Sequence, residues 1–193
     1  MNSMKATPAL RGPVPLSHLI LRSFLNKGDL AVDATCGNGH DTLLLVKLVG
    51  DSGTVWAFDV QEDAIKSTAK RLSEAGLAGR VKLIHGGHEK MTQHVSAPVS
   101  AVIFNLGYLP GGDRSIITRP ETTLAAFEQA LELLHPGGIV AVTVYPGHDI
   151  GAESSTVDAW ATNLDPRTFH TWRMGQLNVP TDAPYFILVQ KAQ

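Results

Sequence analysis

The sequence predicts an α/β fold in which a mostly parallel sheet carries helices on both faces. Short apolar, β-rich runs alternate with segments of helical periodicity almost to the end of the chain, as in doubly wound sheets. Residues 101–104 are apolar at every position, which is typical of a strand that is buried on both faces. The length of 193 residues and the hydrophobic content of 44% fit a single domain, residues 1–193, with a sizeable core.

Each element follows from a local pattern. Apolar residues at helical spacing predict an N-terminal helix that packs on the domain and four later helices. These helices cover 14–26, 43–49, 62–75, 121–134 and 154–163. Gly76 closes the third helix, and His135-Pro136-Gly137-Gly138 is expected to stop the fourth. The predicted strands cover 30–35, 54–59, 81–85, 99–105, 139–145, 169–174 and 185–190. The last two strands are expected to form a closing hairpin, with the final strand antiparallel in the sheet.

The most informative motif joins the first two predicted strands. The first strand leads into Asp33, Gly37 and Gly39 form a Gly-x-Gly turn, and the second strand ends in Asp59, twenty residues after Gly39. A carboxylate at this spacing is suited to hold the two hydroxyls of a ribose. The unit therefore predicts a site for a nucleoside cofactor.

Two residues favour S-adenosylmethionine over a dinucleotide. A dinucleotide fingerprint needs a third glycine for the approach of the pyrophosphate, and Thr42 stands there instead. Asp41 adds a negative charge to the first helical turn, where a pyrophosphate would bind. S-adenosylmethionine has no phosphate, and its sulfonium and ammonium groups tolerate Asp33 and Asp41. A nicotinamide-dependent oxidoreductase and a non-catalytic nucleoside-binding module remain open alternatives.

A second motif follows the fourth predicted strand, where ligands bind in open α/β sheets. The segment Asn105-Leu106-Gly107-Tyr108 resembles the Asn/Asp-Pro-Pro-Tyr loop of enzymes that methylate amines, although Leu-Gly replaces the two prolines. Asn105 is expected to orient an attacking amine, and Tyr108 to stack on a base. The same residues also fit an ordinary turn at a strand end. The glycine-rich segment 107–118 is predicted to be a functional loop.

The remaining polar residues give weaker indications. His148, after the fifth predicted strand, is the best candidate for a proton acceptor, and capping that strand is its alternative role. The histidine spacings match no zinc pattern, so we expect no metal. The one cysteine, Cys36, excludes a disulfide framework and suits a buried position better than catalysis.

Composition bounds the location and the partners. We expect a cytoplasmic protein, because no signal peptide and no membrane-spanning run is evident. The net charge of −2 argues against binding nucleic acid by bulk charge. An RNA would instead dock on a local patch, for which Arg11, Arg22, Arg114 and Arg119 are candidates. The sequence leaves a homodimer open.

Four segments together resemble the bacterial rRNA methylase family, over residues 14–191. They are Asp33-Ala-Thr-Cys-Gly-Asn-Gly-His-Asp-Thr42, Phe58-Asp-Val-Gln61, Asn105-Leu-Gly-Tyr-Leu-Pro-Gly-Gly-Asp113 and Tyr145-Pro-Gly-His148. The resemblance implies a Rossmann-like class I methyltransferase with seven strands and S-adenosylmethionine as cofactor. Its substrate would be the amine of 5-aminomethyl-2-thiouridine at wobble position 34, in the tRNA anticodon loop. The motifs do not decide between tRNA and rRNA, and a small-molecule or protein amine stays an alternative.

The motifs and the resemblance together predict three sets of site residues. The catalytic set is Asn105, Tyr108 and His148. The cofactor-binding set is Asp33, Cys36, Gly37, Asn38, Gly39, His40, Asp41, Thr42, Asp59, Gln61, His88 and Asn105. The substrate-binding set is Tyr108, Gly111, Asp113, Arg114, Thr118 and Asn178. Asn178 begins a closing segment, residues 178–185, that is similar to the family's ending and is expected to wall the acceptor pocket.

Overall fold

A computed structural model describes residues 9–96, 98–113, 115–146 and 151–193. The helices are α1 (Pro13–Phe24), α2 (His40–Val49), α3 (Glu62–Glu74), α4 (Pro120–Leu133) and α5 (Ala152–Asn163). The strands are β1 (Leu30–Asp33), β2 (Thr54–Asp59), β3 (Val81–His85), β4 (Val99–Asn105), β5 (Leu134–Val144), β6 (Phe169–Met174) and β7 (Tyr185–Lys191). Short 3₁₀ helices cover Ala78–Arg80 and His88–Gln93.

The seven strands form one sheet in the order β3-β2-β1-β4-β5-β7-β6. The first five strands are parallel, and β7 runs antiparallel to both β5 and β6. This confirms the predicted mostly parallel sheet and its closing hairpin. The chain order reverses between β1 and β4, so the carboxyl ends of these two strands flank the crevice where such sheets bind ligands.

Two apolar clusters cover the two faces of the sheet. One cluster joins the sheet to α4 and α5 through residues such as Phe127 and Val157. The other joins it to α1 and α2 through residues such as Leu21 and Leu45. Strand β4 lies between the clusters and is buried from Val99 to Phe104, as its uniformly apolar sequence predicts. The helices therefore cover both faces of the central strands beneath the crevice.

Most predicted boundaries agree with the structure to within two residues, but β5 differs. It begins at Leu134 and continues through Pro136-Gly137-Gly138, which we expected to separate helix from strand. Leu134 pairs with Val99, and the register then shifts between Val99 and Ala101. This irregularity accommodates the proline and the glycines. A side chain at Gly138 would lie 3.0 Å from two backbone carbonyl oxygens, so glycine relieves a tight approach of the backbone there.

Three smaller boundary corrections have local causes. Strand β1 ends at Asp33 rather than at residue 35, because the Asp33 carboxylate accepts a hydrogen bond from the backbone N–H of Thr35. Helix α1 covers Pro13–Phe24 rather than 14–26, because Leu25 adopts an extended conformation. Helix α2 begins at His40, three residues before the predicted helical run, directly after the left-handed Gly39.

Candidate active site

Two cavities meet at the carboxyl ends of the central strands. The first, here the β2 cavity, has a volume of about 420 Å³ and includes Asp59, Gln61 and His88 in its wall. The second, here the α1 cavity, has a volume of about 930 Å³ and includes His18 and Asp41. Six residues line both cavities and form their shared wall: Thr35, Gly37, Asn105, Gly107, Tyr108 and Pro110. The two sequence motifs therefore meet between the cavities.

Asp59 organises the β2 cavity. Its two carboxylate oxygens accept backbone hydrogen bonds from Gly37 at 3.0 Å and from Gln61 at 2.9 Å. These bonds fix the carboxylate at the tip of β2 and tie it to the glycine turn. A carboxylate has about four lone-pair sites, so Asp59 retains capacity to accept two further hydroxyl hydrogens. This arrangement fits the ribose role predicted for Asp59.

The glycine turn is held tightly against α3. Gly39 has a φ of +75°, and a side chain there would lie 2.9 Å from Thr68. The Thr68 hydroxyl donates to the Gly37 carbonyl at 2.9 Å, and Arg71 Nε donates to the Asn38 carbonyl at 2.6 Å. Gly39 thus serves the turn's close packing on α3 and lies in neither cavity wall. Its predicted contribution to cofactor binding is indirect in this geometry.

Asp33 and Thr42 lie beneath the turn rather than in either cavity wall. Both are fully buried, and the Thr42 hydroxyl donates to the Asp33 carboxylate at 2.6 Å. Burial, followed by the neighbouring Asp41 carboxylate, raises the pKa of Asp33 to about 7. Asp33 therefore braces the strand-to-turn connection from inside the protein.

A chain of three polar side chains crosses the α1 cavity wall. His18 Nε2 donates to Asp41 Oδ1 at 2.6 Å, and Asn105 Nδ2 donates to Asp41 Oδ2 at 2.7 Å. Burial alone would raise the pKa of Asp41, but the hydrogen bonds and positive charge around it outweigh burial and lower that pKa. Asp41 is thus an anionic acceptor for both neighbours. Since an amide group can donate only through its nitrogen, Asp41 also fixes the orientation of the Asn105 amide.

The acceptor loop, residues 107–118, is anchored at both ends. Gly107 and Thr118 exchange two hydrogen bonds, and Tyr108 forms a β-bridge with Ile117. The Thr118 hydroxyl also donates to the buried carboxylate of Glu153 at 2.6 Å. The two ends of the predicted loop are therefore paired antiparallel and fastened to α5, and they present Tyr108 at the cavities with 46% of its surface exposed.

Two further predicted cofactor residues have clear protonation states. Burial, with the help of Asp33, raises the pKa of the Cys36 thiol well above its usual range. The neutral thiol is a poor nucleophile, as its predicted buried position implies. Burial lowers the pKa of His88, so its ring is neutral, and its Nδ1 donates to the Ala34 carbonyl at 3.2 Å. His88 then presents Nε2 as an acceptor.

The other predicted residues line one of the two cavities, lie exposed outside both cavity walls, or fall outside the described residues. Asn38, His40 and Gly111 line the α1 cavity, whereas Gln61 and Thr118 line the β2 cavity. Asp113 is exposed and accepts bonds from Ser115, and Asn178 is exposed and accepts from Gln176; both lie outside the two cavity walls. His148 and Arg114 lie outside the described residues.

The structure adds cavity residues that the sequence motifs did not single out. His18 comes from α1, which we expected only to pack on the domain, and no local motif marks it. Tyr145 lines the α1 cavity from the end of β5. In the closing segment, Asp182 and Pro184 line this cavity instead of Asn178. Only the fold brings these positions to the Asn105 loop.

Within the described part of the chain, no group of three or more His, Cys, Asp or Glu residues is arranged to hold a metal ion. In the same ranges no helix is long and apolar enough to cross a membrane.

Comparison with known proteins identifies the family. The profile of the family described as "Putative rRNA methylase" matches residues 55–190. The chain belongs to this rRNA methylase family. A chloroplastic tRNA (mnm(5)s(2)U34)-methyltransferase from Arabidopsis thaliana is 41% identical over 189 residues, which cover 92% of this chain and 69% of the relative.

Solved structures agree with this assignment. An rRNA methylase structure from Clostridium thermocellum superposes with a TM-score of 0.92 at 43% identity, over 95% of this chain and all of that one. A methyltransferase from Streptococcus mutans in complex with SAH gives a TM-score of 0.86 at 38% identity, over 95% of this chain and 99% of that one. The predicted class I methyltransferase fold is confirmed.

This member of the rRNA methylase family is an S-adenosylmethionine-dependent methyltransferase. The residues of the crevice fit that cofactor. Asp59 suits the ribose hydroxyls, and the Asp41 carboxylate suits a cationic group. Gly37 has a φ of +49°, and a side chain there would lie 3.3 Å from Leu109. Glycine therefore keeps the backbone between the two cavities accessible to a ligand. The nicotinamide alternative is set aside.

Proposed function

We propose that the enzyme methylates the amine of 5-aminomethyl-(2-thio)uridine at wobble position 34 of tRNA. The observation that carries this proposal is the fixed orientation of the Asn105 amide. Because Asn105 Nδ2 donates to Asp41, its Oδ1 is the atom left to accept a hydrogen from a substrate amine. The name of the Arabidopsis relative supports the choice of the wobble base.

The charges around the α1 cavity also favour a cationic substrate. Asp41, Asp182 and two tyrosines, Tyr108 and Tyr145, contribute to its wall. Among the described residues of that wall there is no lysine and no arginine, and the basic groups are the two histidines His18 and His40. Carboxylates and aromatic faces attract an alkyl ammonium group and repel a carboxylate. An aminomethyl side chain therefore suits this cavity better than a carboxymethyl side chain.

The chain's own residues would orient the acceptor rather than react covalently. The alkyl ammonium first loses a proton, and Asn105 Oδ1 then accepts one of the remaining N–H hydrogens. That hydrogen bond aims the nitrogen lone pair along one direction, which lowers the orientational cost of the displacement. When bound, S-adenosylmethionine supplies the electrophilic methyl group. His148 remains our prediction for the proton acceptor.

Docking of the RNA would depend on local groups, since the net charge of the protein is −2. Tyr108 is half-exposed and lines both cavities, and we expect its ring to stack on a base. Arg119 is exposed at the wall of the β2 cavity, and Arg11 and Arg22 are exposed on or before α1. A homodimer and a cytoplasmic location stay predictions.

The experiment that tests the proposal uses tRNA and rRNA isolated from a strain that lacks the gene. The purified enzyme and labelled cofactor are incubated with each RNA, and the nucleosides are identified by mass spectrometry. We expect 5-aminomethyl-2-thiouridine to be converted to its N-methylated form in tRNA. Label in an rRNA nucleoside alone would favour the family's description instead, and label in neither RNA would favour a small-molecule or protein amine.

A further inference from the structure

Helix α1 contributes one polar side chain to the cavity wall, and that side chain is connected to the acceptor residue. His18 bonds to one oxygen of Asp41 at 2.6 Å, and Asn105 bonds to the other at 2.7 Å. The three residues come from α1, α2 and β4, so the connection is made by the fold and not by a local motif. We call these residues the His18–Asp41–Asn105 chain.

We propose that His18 is a positioning residue, which acts through Asp41 to hold the Asn105 amide in the orientation that presents Oδ1 to the substrate amine. The proposal rests on the proposed role of Asn105. Asp41 has rotational freedom about its side-chain bonds, and a single partner would leave that freedom largely intact. With His18 on one oxygen and Asn105 on the other, the plane of the carboxylate is determined.

The geometry argues that His18 orients and does not itself accept the proton. Its Nε2, which faces the site, is the donor in a short bond to Asp41, because a carboxylate held between two donors is the acceptor. A ring nitrogen that carries a hydrogen cannot take another. Another side chain that places an N–H donor at the position of Nε2 should therefore hold Asp41 as well as histidine does.

The attachment of α1 to the domain does not depend on His18. Leu21 and Leu25 are buried in the apolar cluster that covers this face of the sheet, whereas the His18 side chain is 30% exposed. Replacement of His18 should therefore leave the helix docked. A change in activity could then be read as a change in the His18–Asp41–Asn105 chain.

The first part of the test compares His18→Leu with His18→Gln, whose amide nitrogen can occupy the position of Nε2. With tRNA that carries the aminomethyl group, we expect His18→Leu to lower kcat by about ten-fold, since small misalignments at the reacting atoms are costly. The KM for tRNA, the Kd for the cofactor and the midpoint of thermal unfolding should change little. His18→Gln should recover most of the lost kcat. Ser23→Ala, on the exposed side of α1, is the matched control and should match the wild type.

The second part of the test asks whether His18 acts through Asn105. The double variant His18→Leu/Asn105→Ala should lose no more kcat than Asn105→Ala, because the group that His18 positions is already gone. Multiplicative losses would overturn the proposal, as would a His18→Gln enzyme no more active than His18→Leu, which would make His18 the proton acceptor. An unchanged His18→Leu enzyme would also overturn it. If Asn105→Ala itself keeps full turnover, the proposed function fails independently of His18.

Discussion

The β2 cavity and the α1 cavity share a wall but are prepared for binding in different ways. In the β2 cavity, backbone N–H groups of Gly37 and Gln61 hold Asp59. One strand-end carboxylate and the residues next to it in the fold are therefore enough to fix the binding group. In the α1 cavity, side chains from three separate elements hold one another. The first arrangement fits a general cofactor site, and we propose that the second serves one particular acceptor.

The largest effect is expected at the shared wall. Asn105→Ala removes the amide that would orient the amine, so kcat should fall by roughly 100-fold. Cofactor affinity should stay nearly intact. Single-turnover kinetics and calorimetry measure the two quantities, with the exposed Asn163→Ala as control. Equal losses of turnover and cofactor affinity would contradict the division between the two cavities.

The β2 cavity should show the opposite pattern. If Asp59 holds the ribose as we expect, Asp59→Ala removes hydrogen bonds that are each worth roughly 1.5–3 kcal/mol, because they are charge-assisted. The Kd for S-adenosylmethionine should rise by tens-fold or more, while kcat at saturating cofactor is less affected. Calorimetric titration checks this against Asp63→Ala, whose carboxylate is exposed on α3. An unchanged Kd would remove Asp59 from the cofactor site.

Variants of Tyr108 distinguish base stacking from methyl transfer at the shared wall. If its ring stacks on the target base, Tyr108→Ala should raise the KM for tRNA by roughly ten-fold. Tyr108→Phe keeps the ring and should be mild. Cofactor affinity serves as the internal control and should not change in either variant. A Phe variant as impaired as the Ala variant would show that the hydroxyl matters instead of the ring.

Asp33 lies beneath both cavities and should affect stability. Its pKa of about 7 in the folded protein exceeds the ordinary aspartate value of 3.8, which we take for the unfolded chain. Between these two pH values the folded state keeps a proton that the unfolded chain releases. The stability that this proton contributes is complete below about pH 4 and is lost as the pH rises through 7. Asp33→Asn cannot ionise, and its free energy of unfolding relative to the wild type should therefore rise over that range by about 1 kcal/mol or more.

Denaturant unfolding of the cofactor-free protein at several pH values measures this difference. Asp63→Asn makes the same change of charge on an exposed side chain and should show no such trend. A pH-independent difference for Asp33→Asn would mean that Asp33 is ionised throughout.

The smallest effect is expected at Cys36. Its buried thiol is held neutral, and direct transfer to an amine needs no covalent intermediate. Cys36→Ala should keep most of the wild-type kcat in the same tRNA assay. A thousand-fold loss in a folded, cofactor-binding variant would indicate thiol chemistry.

The same division explains what the sequence could predict. Asp59, Gly37 and Asn105 lie in short motifs whose spacing follows from one strand, one turn or one loop, and the structure places them at the cavities. His18, Tyr145 and Asp182 reach the α1 cavity only through packing of α1, β5 and the closing segment, so no local pattern marks them. Asp33 is the opposite case, because it lies in a local motif but outside both cavity walls. Its carboxylate is directed inward by the hydrogen bond from Thr42. The start of β5 differs from the predicted one because pairing with Val99 outweighs the turn signal of Pro136-Gly137-Gly138.

We propose that the α1 cavity selects an amine on a wobble uridine. The most direct measurement compares methyl transfer to two tRNAs of identical sequence, one with a 5-aminomethyl and one with a 5-carboxymethyl group at position 34. We expect rapid methylation of the aminomethyl nitrogen and at least roughly 100-fold slower reaction of the carboxymethyl tRNA, because the cavity's carboxylates repel it. Equal rates, or a methyl group found on any atom other than the aminomethyl nitrogen, would contradict it.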